Sequence, residues 1–228
     1  MKNEERRQAA RSNGAINLNR HTSKQAPLVW PSSVKTRNSN DAARLNARAD
    51  ALCKRAFELY GPRAFECPKS AAAAHESGHC VFAALEGAIP LHATIWPIEV
   101  AGQTRWIGRT TRNLQYRSDT TTSPQADLKF AQDQLAGVIA ESLFDPEHYR
   151  IGSSLNEIAA AQLAIGNAAI KSSRNPQALW FDVVAELGVT LQANRQIALE
   201  IADVLLDKHI ITGSRLQQVL TKVKTDAE

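Results

Sequence analysis

Residues 71–87 read AAAAHESGHCVFAALEG and place two histidines four residues apart in an alanine-rich stretch. Alanine has the highest helical propensity, Ser70 is of a type that caps helix starts, and Gly87 suits the position just after a helix end. The stretch therefore predicts a helix of about four turns. At about 100° per residue, His75 and His79 lie about 40° apart on one face, so that both imidazoles reach one metal ion.

Glu76 lies beside the first of these histidines, about 100° further round the predicted helix. From there its carboxylate meets a metal-bound water rather than the metal itself. This is the H-E-x-x-H arrangement of zinc metallopeptidases, with two histidine ligands and a glutamate as general base. The alternative is a surface helix whose histidines are ordinary solvated side chains. We favour the zinc site because the motif lies on a strongly predicted helix, as its mechanism requires.

The composition is that of a soluble globular protein. The chain has 228 residues and an apolar share of 43%, and it contains no apolar run long enough to span a membrane. We expect a cytoplasmic location, because the N-terminal stretch MKNEERRQAARSNG lacks the apolar core of a signal peptide. Three cysteines without a C-x-x-C pair encode neither a disulfide framework nor a cysteine zinc site.

Charge is unevenly distributed along the chain. Residues 1–69 contain 14 Lys and Arg against 6 Asp and Glu, whereas residues 70–228 contain 13 against 17. Residues 1–38 are rich in Asn, Ser, Arg and Lys and predict a disordered basic arm, followed by a single domain over residues 39–228. No aromatic residues are interleaved with the basic ones, so we do not expect a nucleic-acid partner.

The pattern of apolar, cap and stop residues in the rest of the sequence predicts a mainly α fold. We expect a helical zincin-like domain with one small β-hairpin after the histidine helix. A helix is expected over residues 39–60, and β-branched and aromatic residues around Ala101-Gly102 predict the hairpin. Pro97 restricts its strand to an edge or a bulge. Cap and stop residues predict further helices near residues 123–144, 153–171, 175–188, 190–208 and 214–223, with Gly188 ending the third of them.

A catalytic zinc needs a third protein ligand and an open position for water. Leu85 excludes the metzincin pattern, in which a third histidine follows six residues after the second. Glu86 lies about 10 Å beyond His79 along the helix axis, too far to share an ion. The spacing leaves three candidates open: Glu99 on the hairpin, and Glu141 and Glu157 on later helices.

Residues 70–222 resemble the peptidase domain of the FtsH family of ATP-dependent zinc proteases. The resemblance consists of five features in the family's order: HESGH at 75–79, PLHATIWP with WIGRTT at 90–111, LAGVIAESLF at 135–144, GSSLNEIAAAQLAI at 152–165, and IADVLLDKHIITGSRLQQVL at 201–220. It implies that the third ligand is the acid of the fourth feature, which falls on Glu157. It also implies that Glu141 is structural, because its helix is a packing element. The alternative role for Glu157 is a capping box with Ser154.

The resemblance implies a Zn²⁺ cofactor held by His75, His79 and Glu157, with Glu76 as the catalytic base in peptide hydrolysis. The chain contains neither the G-x-x-x-x-G-K-[ST] motif nor a membrane segment. We therefore expect a stand-alone, ATP-independent metalloprotease that hydrolyses flexible or unfolded polypeptides and has no membrane partner; a homo-oligomer is left open. The alternative is a non-catalytic FtsH-peptidase-like binding module whose basic N-terminal arm contacts a protein or nucleic-acid partner.

Overall fold

The computed structural model describes residues 39–100, 102–113, 118 and 121–223. These residues form a mainly α-helical fold with a small antiparallel sheet, which confirms the expected fold class. The expected disordered arm at residues 1–38 lies outside the described residues. None of the described helices combines the length and the apolar character that crossing a membrane requires.

The described part of the chain contains seven α-helices and three strands. The helices are α1 (Ser39–Tyr60), α2 (Lys69–Leu85), α3 (Pro124–Phe144), α4 (Leu155–Ser172), α5 (Pro176–Ala193), α6 (Arg195–Lys208) and α7 (Gly213–Leu220). The strands are β1 (Pro90–Val100), β2 (Gln103–Arg112) and β3 (Ile210–Thr212). Short 3-10 turns at Gly61–Phe65 and Ile151–Ser154 follow α1 and precede α4, respectively.

Helix α2 carries the two histidines and lies in the core. Its four leading alanines, residues 71–74, are buried, and so are Cys80, Val81 and Phe82 later in the helix. Twelve of the 17 residues of α2 are buried, so the helix lies in the interior of the protein. The surface-helix interpretation of the histidine motif is therefore wrong, and His79 is only 7% exposed.

The two ends of α2 differ in how well they were predicted. The helix begins at Lys69 after Pro68, which makes no side-chain capping bond, so the prediction that Ser70 caps the helix was wrong. Its other end is as expected, because Gly87 has a φ of +69° in the left-handed region that glycine adopts at no cost. Backbone N–H groups of the two residues after the last helical turn donate back to its carbonyls, as in a Schellman motif.

Helices α2 and α3 approach closely because Gly78 has no side chain. A Cβ at Gly78 would contact the backbone oxygen of Ala136 and lie 2.5 Å from the Cβ of Ala140. Small residues at this crossing let the two backbones approach each other. As a result, the histidine face of α2 packs against the part of α3 that carries Glu141.

The sheet has the order β2-β1-β3 and is antiparallel throughout. The expected hairpin is present, with Val100 opposite Gln103 at its turn. Strand β3 was not predicted, because three residues are too few for a periodic signal. It pairs only with His92–Thr94, so Pro97 lies beyond the doubly paired part of β1, in keeping with its restriction to an edge.

Helix α5 continues through Gly188 to Ala193, so the prediction that Gly188 ends it was wrong. An interior glycine costs a helix about 1 kcal/mol relative to alanine. Leu187 and Leu191, on either side of Gly188, are 2% and 0% exposed, and their burial outweighs that cost.

Candidate metal centre

Three side chains from two helices converge at one point of the core. His75 and His79 project from α2, and Glu157 projects from the first turn of α4. The Nε2 atoms of the two histidines are 3.1 Å apart. Oε1 of Glu157 lies 3.2 Å from Nε2 of His75 and 3.3 Å from Nε2 of His79. The structure thus brings together the three residues that the sequence interpretation named as ligands.

The triangle of donor atoms has the dimensions that a small metal ion requires. Donors in tetrahedral positions about 2.0–2.1 Å from an ion lie about 3.3–3.4 Å from one another. The three observed separations, 3.1, 3.2 and 3.3 Å, are close to that value. Two imidazole nitrogens and one carboxylate oxygen also form a donor set that divalent transition metals accept. His75, His79 and Glu157 could therefore hold a metal ion.

Glu141 orients the first histidine from the side opposite to Glu157. Nδ1 of His75 lies 2.6 Å from Oε1 of Glu141, and Ser154 Oγ donates to the same carboxylate oxygen at 3.2 Å. With its proton on Nδ1, the neutral imidazole donates to Glu141 and keeps the Nε2 lone pair for a metal. The resemblance implies that Glu141 is structural, and the structure adds that its carboxylate bonds directly to His75.

Burial and neighbouring charges shift the pKa values of these groups. Burial disfavours the charged form of His75, but the Glu157 carboxylate and the bonds to Glu141 and Glu157 raise the pKa of His75 well above its ordinary value. Burial also opposes ionisation of Glu157, yet His75 and His79 lower the pKa of that carboxyl well below its usual range. For Glu141 burial prevails and raises the pKa of the carboxyl. The site therefore favours a positive charge beside Glu157, which a proton or a metal ion supplies.

Gly137 provides the space for the His75 ring. A Cβ at Gly137 would contact Nε2 of His75 and lie 2.5 Å from its Cδ2 and Cε1 atoms. Heavy atoms in van der Waals contact are about 3.5–4.0 Å apart, so no other residue fits here without moving the ring. The spacing of residues in the sequence does not predict a role for Gly137, although this glycine belongs to the LAGVIAESLF feature of the resemblance.

Glu76 lies outside the ligand triangle and contacts strand β2. It is 4% exposed, and its Oε2 accepts a hydrogen bond from Thr110 Oγ1 at 2.7 Å. A Cβ at Gly108 would lie 2.5 Å from Oε1 of Glu76 and 2.7 Å from its Cδ, so the strand packs directly on the carboxylate. Thr110 and Gly108 hold Glu76 in place, and the sequence alone did not predict either contact.

Two other glutamates considered as the third ligand, Glu99 and Glu86, make contacts with other residues. Glu99 accepts a hydrogen bond from Thr104 at 2.6 Å on the hairpin, and Glu86 pairs with Lys129 at 2.6 Å. The capping box is not formed, because the Ser154 side chain makes no capping bond to the start of α4. Among the three glutamates that the spacing left open, Glu157 is the one that lies between the two histidines.

Comparison with protein-family models and with curated proteins finds no match to this chain. The resemblance to FtsH peptidases therefore depends on the five sequence features described above. The geometry of the site comes from the structure alone.

Proposed function

We propose that the chain is a zinc metallopeptidase of the FtsH peptidase type. The observation that carries this proposal is the triangle of His75, His79 and Glu157, with the buried Glu76 next to it on the same helix and outside the ligand set. Two histidines and one carboxylate are a ligand set of catalytic zinc, and three protein ligands leave a fourth position for water or substrate. The five features of the FtsH resemblance support the same assignment.

Zn²⁺ in such a site supplies Lewis acidity, which polarises a substrate carbonyl and lowers the pKa of water. His75, His79 and Glu157 would hold the ion, while Glu141 keeps the His75 ring in the tautomer with a free Nε2 lone pair. Glu76 accepts a proton from the attacking water and later donates it to the amine of the cleaved peptide bond. Thr110 keeps the Glu76 carboxylate in position by donating to Oε2 at 2.7 Å.

The substrate in this proposal is a flexible or unfolded polypeptide. The sequence has no phosphate-binding loop of the G-x-x-x-x-G-K-[ST] type, so an unfolding activity is not part of the proposal. A peptide bond must be extended and accessible for a carboxylate and a metal ion to act on it from one side. Unstructured peptides meet that requirement without prior unfolding.

Glu76→Gln tests the proposal, because the amide keeps the size of the side chain and removes its basicity. We expect zinc content to remain at about one ion per chain and cleavage of an unstructured peptide mixture to fall by about 100-fold or more. Glu86→Gln is the matched control, since Glu86 is the glutamate at the end of the same helix and pairs with Lys129. That variant should cleave like the wild type.

Two outcomes would contradict the peptidase proposal: full cleavage by Glu76→Gln, or no cleavage by a wild-type chain that carries zinc. The second outcome would favour the alternative, a metal-binding module without catalysis.

A further inference from the structure

The two histidines of the candidate metal centre are supported unequally. His75 bonds to Glu141 through Nδ1, whereas Nδ1 of His79 is buried and has no hydrogen-bond partner among the described residues. Histidines that hold a metal almost always donate their second ring N–H to a carboxylate, a carbonyl or a water. A metal ion at this site therefore calls for an acceptor near His79.

Asp133 on α3 lies about one turn from the point where α3 contacts α2 beside His79. It is three residues before Ala136, which contacts Gly78 next to His79. Asp133 is 3% exposed, and its Oδ1 has no hydrogen-bond partner among the described residues. Burial raises the pKa of this carboxyl, against the lowering effects of Arg112 and His79.

Arg112 holds Asp133 from the other side. Nη2 of Arg112 donates to Oδ2 of Asp133 at 2.5 Å, and Nε2 of Gln134 donates to the same oxygen at 3.3 Å. Oδ2 is therefore occupied, and Oδ1 remains as the acceptor. The side-chain oxygens of Gln132 and Gln134 are also buried without a partner in the described structure, so a water here would have several polar neighbours.

We propose that Asp133, held by Arg112, is a positioning residue for His79 and accepts its Nδ1–H through one water molecule. This inference rests on the proposed metal site. Each histidine ligand then has its own carboxylate from α3, with Glu141 serving His75 and Asp133 serving His79. Without the Asp133 carboxylate, the His79 ring is less basic and less firmly oriented, so metal binding weakens although all three ligands remain.

The test is the zinc affinity of the full chain, measured by competition with a chelator. Asp133→Asn keeps the shape of the side chain and removes its charge, and we expect zinc to bind about 10- to 100-fold more weakly. Asp127→Asn is the matched control, because Asp127 is also fully buried on α3 and pairs with Lys171 at 2.6 Å. A merely structural role would affect both variants alike. The absorption spectrum of Co²⁺ bound in place of zinc should shift in the Asp133 variant alone.

A second variant addresses the case in which Asp133→Asn does not fold, because that change leaves Arg112 without its charged partner. Asp133→Asn combined with Arg112→Gln replaces the ion pair by two neutral groups that can still bond to each other. We expect the same loss of zinc affinity. Wild-type affinity in a folded Asp133 variant, or an equal loss in Asp127→Asn, overturns the positioning role and leaves the peptidase proposal intact. A wild-type chain that binds no zinc overturns both.

Discussion

Glu141 and Glu157 are identical side chains on consecutive helices, and each contacts one nitrogen of the His75 ring. Glu141 is 1% exposed and bonds to Nδ1 at 2.6 Å. The side chain of Glu157 is 26% exposed and lies 3.2 Å from Nε2, where it also meets His79. The position around the ring, and not the residue type, separates a carboxylate that orients a histidine from one that could hold a metal ion together with it.

The exposure of the two side chains fits this division. A group that orients a ring through one hydrogen bond gains from a dry environment, where that bond is stronger. In the proposed peptidase, a group that holds the metal must border a position that substrate and water can reach. Glu141 is almost completely buried, whereas the side chain of Glu157, at the start of α4, is partly exposed.

The largest effect is expected from replacing Glu157, because a neutral amide is a poor ligand. In Glu157→Gln we expect zinc to be lost during purification, whereas Glu141→Gln keeps all three ligands and should bind zinc about 10- to 100-fold more weakly than the wild type. Elemental analysis and chelator competition measure both. Glu99→Gln, on the hairpin, is the control and should bind zinc like the wild type. Equal affinities in the Glu157 and Glu141 variants would contradict the division of roles.

A smaller effect is expected at Gly137, which seats the His75 ring between the two glutamates. In Gly137→Ala the added methyl group overlaps the ring, so we expect the free energy of unfolding to fall by about 1–3 kcal/mol and zinc binding to weaken. Gly166→Ala is the matched control on α4, because a Cβ there meets no atom within 4 Å. That variant should gain about 0.5–1 kcal/mol, the usual advantage of alanine in a helix. Denaturant unfolding measures both, and wild-type stability with wild-type zinc affinity in Gly137→Ala would show that the ring tolerates displacement.

The helices and strands that carry the site were predictable where the sequence pattern that defines them lies within or next to the element itself. The alanine run and Gly87 define α2 from within or next to the helix itself, and the residues around Gly102 define the hairpin in the same way. Strand β3 escaped prediction because it is short, and it pairs with residues more than a hundred positions away. The prediction that Gly188 ends α5 was wrong because the packing of α5 outweighs the low helix propensity of one glycine.

The roles of the two glutamates were predictable to different degrees for a related reason. The spacing left Glu99, Glu141 and Glu157 open, and only the resemblance to FtsH peptidases selected Glu157. The bond from His75 to Glu141 spans 66 positions and depends on how α3 packs against α2 at Gly78. No local periodicity contains that information, so the sequence alone does not predict that Glu141 orients His75.

The smallest effect on zinc binding is expected at Ser154, and it tests most directly whether Glu141 orients His75. The Ser154 hydroxyl donates to Glu141 at 3.2 Å and makes no capping bond to α4. Ser154→Ala should weaken zinc binding by the value of one buried hydrogen bond, about 1 kcal/mol or fivefold in affinity. If Ser154 acts through Glu141, its removal should matter much less in a Glu141→Gln background, with a coupling of about 0.5 kcal/mol or more in the double-mutant cycle. If Ser154 acted as a helix cap instead, Ser154→Ala would lower the free energy of unfolding by about 1 kcal/mol in both backgrounds and would leave zinc affinity unchanged. Additive effects on zinc affinity would instead mean that Ser154 supports His75 independently of Glu141, through its own contact with Nδ1 of His75 at 3.5 Å.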